Sequence, residues 1–132
     1  MKSRRRRNPN RCPSLSRRPA DLGKTTYLTP RGGATVFPGA KGTEINEITD
    51  GTTNTILVVD ASDDLAVTWT EPRDWEVEPE LAVKGLFGHH PEGTNFCFAD
   101  GSVRLVKETI RLDVLTALLT RNGGEVLNAD AF

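Results

Sequence analysis

The sequence predicts an α+β fold with a mainly antiparallel sheet, a C-terminal Asp-Gly hairpin, and one amphipathic helix after the hairpin. Three observations predict this fold. Short β-branched and aromatic runs recur between Gly and Pro residues, which is typical of strands separated by turns. Asp100-Gly101 separates two such runs, as in a tight hairpin. Near the C-terminus, leucines recur at helical spacing.

The first strands are predicted from short runs that end at turn residues. Thr25 to Thr29 and Ala34 to Phe37 indicate two short strands or extended segments, each followed by proline. Ile56 to Val59 is apolar on both pleat faces, which predicts a central strand that is covered on both sides. Val67 to Thr70 is a further, weaker strand pattern. An acidic loop anchored by Trp75 follows, with Glu71, Asp74, Glu76, Glu78 and Glu80.

The hairpin is predicted in register. Asp-Gly favours a two-residue type I′ turn, in which both central residues have positive φ. This turn would pair Phe98 with Val103 and Cys97 with Arg104. Four apolar side chains would then share one face of the hairpin: Phe96, Phe98, Val103 and Leu105.

The C-terminal helix is predicted from an apolar stripe over about ten residues. Asn122-Gly123-Gly124 then ends the helix, because glycine accepts the backbone conformation of a helix C-terminus. The stripe consists of Leu112, Leu115, Leu118 and Leu119.

Charge divides the chain into two parts. Residues 1–20 carry +8 without any acidic residue, whereas residues 21–132 carry −9. The basic part has too few apolar side chains to offset the entropy of ordering. We therefore predict a disordered basic tail at residues 1–24 and one folded domain at residues 25–132. No apolar run approaches the roughly 20 residues needed to span a bilayer, and no apolar segment follows the arginines as an export signal requires.

One segment resembles a known family. His90 is followed by nine residues and then by Asp100-Gly101, which resembles the H-x(9)-D-G signature of a large bacterial family of prepilin-like proteins of unknown function. Five other blocks agree in family order: Tyr27-Leu28, Val36 to Gly39, Ile48 to Val59, Trp69 to Asp74, and Leu118 to Val126. The resemblance covers residues 25–132 and marks as motif residues His90, Asp100, Gly101, Asp50, Gly51, Trp69, Gly123 and Gly124.

The resemblance implies the C-terminal head of a pilin- or pseudopilin-like protein, similar to the major pseudopilin of type II secretion and to type IV pilin-like proteins. Such a head is structural, and its partners are protein subunits of a pilus- or pseudopilus-like assembly in the cell envelope or outside the cell. No small-molecule substrate is implied. Family members carry the head on an apolar N-terminal helix, which would also be the membrane contact. Here the Arg-rich segment stands in its place, so we expect a truncated or mis-started copy or a free head, and a cytoplasmic location stays open.

Two kinds of metal site are compatible with the residue types. His89, His90 and Asp100 are ligands that suit zinc or a similar ion, although turn geometry explains Asp100 and hydrogen bonding in the preceding loop explains His90. The pseudopilins that the head resembles bind calcium through an acidic loop. Oxygen ligands lie near Trp69, without the spacing of an EF-hand: Asp60, Asp63, Asp64, Glu71 and Asp74. We predict no cofactor, with calcium as the alternative.

The sequence predicts no enzymatic activity. Cys12 and Cys97 form neither a disulfide framework nor the paired spacing of a zinc site. Cys97 follows His89 and His90 at a short distance, and in the predicted register Arg104 would favour its thiolate. A half-buried strand cysteine is the preferred interpretation. The glycines at 32, 33, 39 and 42 lack the Lys and Ser or Thr of a phosphate-binding loop.

The basic tail supports a hypothesis of another class, nonspecific binding to nucleic acid or to an anionic surface. The net −9 charge of the rest of the chain argues against it, as does the absence of aromatic residues between the arginines, on which bases could stack. Nucleic acid is therefore not the preferred partner. The candidate residues are Arg4, Arg5, Arg6 and Arg7, supported by Arg11, Arg17 and Arg18.

Overall fold

The computed structural model describes residues 23–78, 85–87 and 90–127, and within them it confirms the α+β arrangement. Residues 1–22 of the predicted disordered tail lie outside these residues, whereas Lys24, the last residue of the predicted tail, belongs to the first strand. Three single-turn 3₁₀ helices span Ile45–Glu47, Thr52–Asn54 and Asp63–Leu65. The main elements are β1 (Lys24–Thr25), β2 (Tyr27–Leu28), β3 (Pro30–Arg31), β4 (Ile56–Asp60), β5 (Val67–Thr68), β6 (Trp75–Glu76), β7 (Thr94–Phe98), β8 (Val103–Val106) and α1 (Leu112–Leu119).

The main sheet has four antiparallel strands in the order β2-β4-β7-β8. The apolar β4 lies inside this sheet, as predicted. Two small pairs flank it, an antiparallel β1-β5 pair and a parallel β3-β6 pair.

Helix α1 covers one face of the main sheet, which we call the inner face. Three of its leucines join the core cluster with Phe96 and Phe98, both fully buried. The fourth, Leu112, begins the helix and remains 44% exposed. The buried leucines are Leu115, Leu118 and Leu119. The stripe therefore predicts the buried side of the helix, except at its first residue.

The N-terminal strand predictions are only partly correct. Thr25 to Thr29 does not form one strand, because the chain divides into β1, β2 and β3, each paired with a different partner strand. Ala34 to Phe37 is a turn in which the Thr35 hydroxyl donates to the carbonyl oxygens of Pro30 and Gly32. Its only bridge within the described residues joins Phe37 to Arg31. Side-chain hydrogen bonds to the backbone have replaced a strand ladder here.

The predicted hairpin register is wrong by one residue, since Phe96 lies opposite Arg104. Gly101 has a φ of +84°, whereas Asp100 does not have positive φ, so a type I′ turn is excluded. The Gly101 N–H donates to the Phe98 carbonyl oxygen at 2.9 Å. The loop thus contains three residues, 99–101, with glycine in the left-handed position, which is the next most common hairpin connection.

The register change exchanges the two faces of β8. Val103 and Leu105, predicted to face the core, lie on the opposite side of the sheet and are 64% and 46% exposed. Arg104 and Val106 share the inner face instead. The guanidinium carbon of Arg104 lies 4.5 Å from the ring centroid of Phe98, a cation–π arrangement that covers the ring.

Candidate functional site

The motif residues Asp50, Gly123 and Gly124 lie together although they are more than 70 positions apart in the chain. Asp50 accepts hydrogen bonds from the Gly123 N–H to Oδ2 at 2.7 Å and from the Gly124 N–H to Oδ1 at 2.8 Å. The Thr120 hydroxyl lies 3.5 Å from Oδ2. One carboxylate thereby holds the chain that leaves α1 against the loop before β4, through charge-assisted hydrogen bonds.

Arg121 fastens the same segment to a third loop. Its backbone N–H donates to the Ala34 carbonyl oxygen at 2.9 Å, and its guanidinium donates to the carbonyl oxygens of Gly33 and Thr35. The Asp50 N–H donates to the Arg121 carbonyl oxygen at 3.1 Å. Arg121 lies within the Leu118 to Val126 block, but no role was predicted for it. The signal in the sequence is the residue type alone, because a guanidinium presents five donors in a fixed fork. The carbonyl groups that it reaches are known only from the fold.

The Asp100-Gly101 turn contacts the same part of the molecule as Asp50 and Gly51. The N–H groups of Ala99 and Asp100 donate to the carbonyl oxygens of Thr55 and Thr52, in the segment that follows Gly51. Two family-like blocks, residues 48–59 and 90–104, are therefore joined by backbone hydrogen bonds at this turn.

Asp100 also stabilises the turn through its side chain. Oδ1 accepts the Ser102 hydroxyl at 2.6 Å and the Ser102 N–H at 2.9 Å. The Ser102 hydroxyl is the larger cause, and together these hydrogen bonds hold the pKa of the Asp100 carboxyl below its usual value of 3.8. The function of Asp100 in the structure is that of a turn residue.

This lowered pKa predicts a small acid-dependent loss of stability. Because the pKa is lower in the folded than in the unfolded chain, the contribution of Asp100 is present above pH 3.8 and is lost as the pH falls through the lowered value. Asp100→Asn keeps an acceptor but cannot titrate. In urea titrations, the stability difference between the wild type and this variant should shrink from about pH 5 to about pH 2. A difference that stays constant over this range contradicts the prediction.

His90 and Asp100 lie at opposite ends of β7, a five-residue strand that rises about 16 Å. His90 instead lines a cleft of about 400 Å³ with Pro91, Glu92, Asn95 and Leu105. His89 lies outside the described residues. The structure therefore does not bring His90 and Asp100 together as ligands of one ion.

Several of the candidate calcium ligands have other partners in the structure. Asp60 is buried and accepts the Thr26 hydroxyl at 2.7 Å, while Asp74 accepts the Thr29 hydroxyl at 2.6 Å. Glu71 pairs with Arg73 at 2.6 Å, and Asp63 and Asp64 are exposed in a 3₁₀ turn. No group of three or more His, Cys, Asp or Glu side chains suited to a metal occurs within the part of the chain that the structure describes.

Cys97 is half-buried on the sheet face opposite α1 and lies opposite Val103, so the predicted pairing with Arg104 is wrong. Arg104 points to the inner face and stacks on Phe98. The arrangement matches the interpretation of Cys97 as a strand cysteine.

The two tryptophans differ in environment. Trp75 is buried in the core cluster and anchors the acidic loop, as predicted. The motif residue Trp69 is 71% exposed, and its backbone N–H donates to the Gly23 carbonyl oxygen at 2.9 Å. Glu80 and the tail arginines Arg4 to Arg7 lie outside the described residues.

An uncovered apolar surface was not predicted. We define the outer face as the side of the four-stranded sheet opposite α1. Its apolar residues are Tyr27, Val58, Cys97, Val103 and Leu105, and the polar residues Asp60, which is buried, and Asn95 lie on the same side. Tyr27 is 63% exposed, and Val58 and Cys97 are half-buried. The predicted two-residue loop places Val103 and Leu105 on the core side of the hairpin, so it does not predict this surface.

No protein-family model, curated protein or solved structure matches the chain. Among the residues that the structure describes, no helix has the length and apolar character needed to cross a bilayer.

Proposed function

We propose that this chain is a non-enzymatic assembly head of a pilin- or pseudopilin-like protein of the bacterial envelope, and that it binds protein subunits through its outer face. The resemblance of residues 25–132 to the H-x(9)-D-G family supports the class of protein. The exposed apolar side chains of the outer face, Tyr27, Val103 and Leu105, are the observation that supports binding to a protein.

The composition of the outer face supports a protein partner. Cys97 pairs with Val58 on one side and with Val103 on the other, so these apolar side chains are neighbours across three strands. Large exposed apolar patches mark contact surfaces on soluble proteins. Ile56 to Val59 is apolar on both pleat faces, yet within the described fold only Ile56 and Val59 are fully buried. Leu57 and Val58 are half-buried, at the register shift between β4 and β7. A partner on the outer face would complete the burial that this strand composition favours.

The edge of the sheet supports the same proposal. β8 is an edge strand of four residues, and it carries Val103 and Leu105 on the outer face. Edge strands without a covering element pair readily with other chains. A subunit could therefore contact the edge and the apolar face together.

Two motif residues, Asp50 and Asp100, and the neighbouring Arg121 contribute rigidity in this proposal. Asp50 and Arg121 join three loops by direct hydrogen bonds, and Asp100 holds the hairpin turn. A head whose loops are fixed presents its binding face without the entropic cost of ordering them on assembly.

Sedimentation velocity over a range of concentrations tests the proposed function. The wild type should associate as concentration rises, whereas the double variant Val103→Asp/Leu105→Asp should stay monomeric, because charge on the outer face opposes apolar contact. Both side chains are exposed, so the melting temperature should change little. Ile45→Asp is the matched control, since Ile45 is apolar and 78% exposed but lies outside the sheet. A wild type that stays monomeric, or a double variant that associates like the wild type, contradicts the proposal.

A further inference from the structure

A groove with an apolar floor lies beside the β1-β5 pair. It encloses about 420 Å³, and its floor includes Leu28, Leu65, Val67 and Trp75. Leu28, Val67 and Trp75 are buried residues of the core cluster, so the floor is part of the packed interior and has a fixed shape.

The rim of the groove carries an excess of negative charge. Among the described lining residues, Asp64, Asp74, Glu76 and Glu78 stand with a single cation, Arg73. Asp74 also lies 4.0 Å from the guanidinium of Arg31. Arg73 is already paired with Glu71 at 2.6 Å. Asp64, Glu76 and Glu78 make no ion pair within the described residues. The groove therefore suits a cationic occupant whose side chains have long apolar stems, a description that fits arginine.

The chain itself supplies such a segment next to the groove. Residues 1–22 contain eight basic residues and one acidic residue, Asp21. They join the described fold at Gly23, whose carbonyl oxygen accepts the Trp69 N–H. β1 then pairs with β5, so that Thr25 lies opposite Val67, a residue of the groove floor. The described fold thus begins at Gly23, two residues before Thr25, and Thr25 lies one strand spacing, about 5 Å, from the groove floor.

Chain length permits occupation of the groove within one molecule. Arg17 and Arg18 precede Gly23 by six and five residues, which corresponds to at most about 20 Å of extended chain. A short tether of this kind gives an effective concentration in the millimolar range. Even weak individual arginine contacts are then sufficient for the segment to be bound.

We propose that residues 1–22 bind in this groove of the same molecule, with arginine guanidinium groups at the acidic rim and arginine stems on the apolar floor. This inference does not depend on the assembly proposal, because the groove and the outer face share no lining residue. It also gives the basic tail an intramolecular partner, against which nucleic acid or an anionic surface would have to compete.

Paramagnetic relaxation enhancement in the full chain tests the proposal. Cys12 lies in the basic segment and takes a nitroxide label once Cys97 is replaced by Ser, and the ¹⁵N spectrum shows that the fold is retained. At about 10 mM salt, the amides of Val67, Trp75 and Glu76 should lose most of their intensity, while those of the hairpin at residues 99–106 keep theirs. Raising the salt to about 1 M shortens the Debye length from about 30 Å to about 3 Å and should restore the lost signals.

A charge-matched pair of variants provides the control. Asp64→Asn/Glu76→Gln/Glu78→Gln should restore the signals at low salt. Glu92→Gln/Glu108→Gln/Glu125→Gln removes three exposed acids outside the groove lining and should leave the broadening unchanged. Equal broadening in both triple variants, or broadening no stronger at the groove than at the hairpin, overturns the proposal. A mixture of ¹⁵N protein without the nitroxide and nitroxide-labelled protein without ¹⁵N tests binding between molecules. Equal broadening in this mixture also overturns the proposal, because the segment would then bind a second molecule.

Discussion

Replacing Gly93 by alanine is expected to destabilise the fold by about 2–5 kcal/mol. A Cβ at this position would overlap the Val106 carbonyl oxygen and lie 3.0 Å from the Lys107 Cα. These are backbone atoms, so no side-chain rotation relieves the clash. Overpacking of a tight site costs about 1–3 kcal/mol, and the φ of +146° adds about 1–2 kcal/mol for a residue with a Cβ. Equilibrium urea unfolding measures the change.

Two other glycines separate the contributions of space and of backbone conformation. Gly101→Ala meets no atom within 4 Å but has a φ of +84°, so it should cost about 1–2 kcal/mol. Gly42→Ala meets neither obstacle and should stay within about 0.5 kcal/mol of the wild type. The prediction for Gly93 is wrong if its alanine variant unfolds at the same urea concentration as the Gly101 variant.

Asp50→Ala is expected to cost about 2–3 kcal/mol. The carboxylate accepts two backbone N–H groups at 2.7 and 2.8 Å, and hydrogen bonds to a charged group contribute about 1.5–3 kcal/mol. The loss should release the chain after α1 from the loop before β4. Thermal unfolding gives the stability change, and hydrogen exchange at Gly123 and Gly124 should become faster in the variant.

Asp113→Ala is the matched control for Asp50. Asp113 pairs with Arg111, but both side chains are more than half exposed, and such surface pairs contribute at most about 1 kcal/mol. If Asp113→Ala costs as much as Asp50→Ala, the proposed role of Asp50 in joining the loops is not supported.

The hairpin shows how far the sequence determines the fold. Alternating apolar residues on both sides of Asp100-Gly101 correctly predict two paired strands and a turn. They do not determine the register, because a two-residue loop and a three-residue loop place different sets of side chains inward. Asp-Gly favours the two-residue loop, and the register of that loop places four apolar side chains on one face. In the structure, Arg104 covers Phe98 from the inner face instead, which the apolar pattern does not predict.

The candidate site depended on contacts that sequence spacing cannot give. Asp50 and Gly123-Gly124 were marked by the family resemblance, but their mutual hydrogen bonds join loops 73 and 74 positions apart. Local patterns predict α1, whose leucine spacing is a property of adjacent turns. The outer face could not be predicted, because its residues Val103 and Leu105 face outward only in the observed register of the β7-β8 hairpin.

Amide hydrogen exchange measured below and above the concentration at which the protein associates tests the central claim most directly. The account predicts that exchange in β8, at Val103–Val106, becomes slower at the higher concentration, because the edge and the outer face are covered by a second subunit. Exchange in α1, at Leu112–Leu119, should not change, since the helix lies on the inner face. Protection that appears in α1 and leaves β8 unchanged would contradict the assignment of the outer face as the assembly surface.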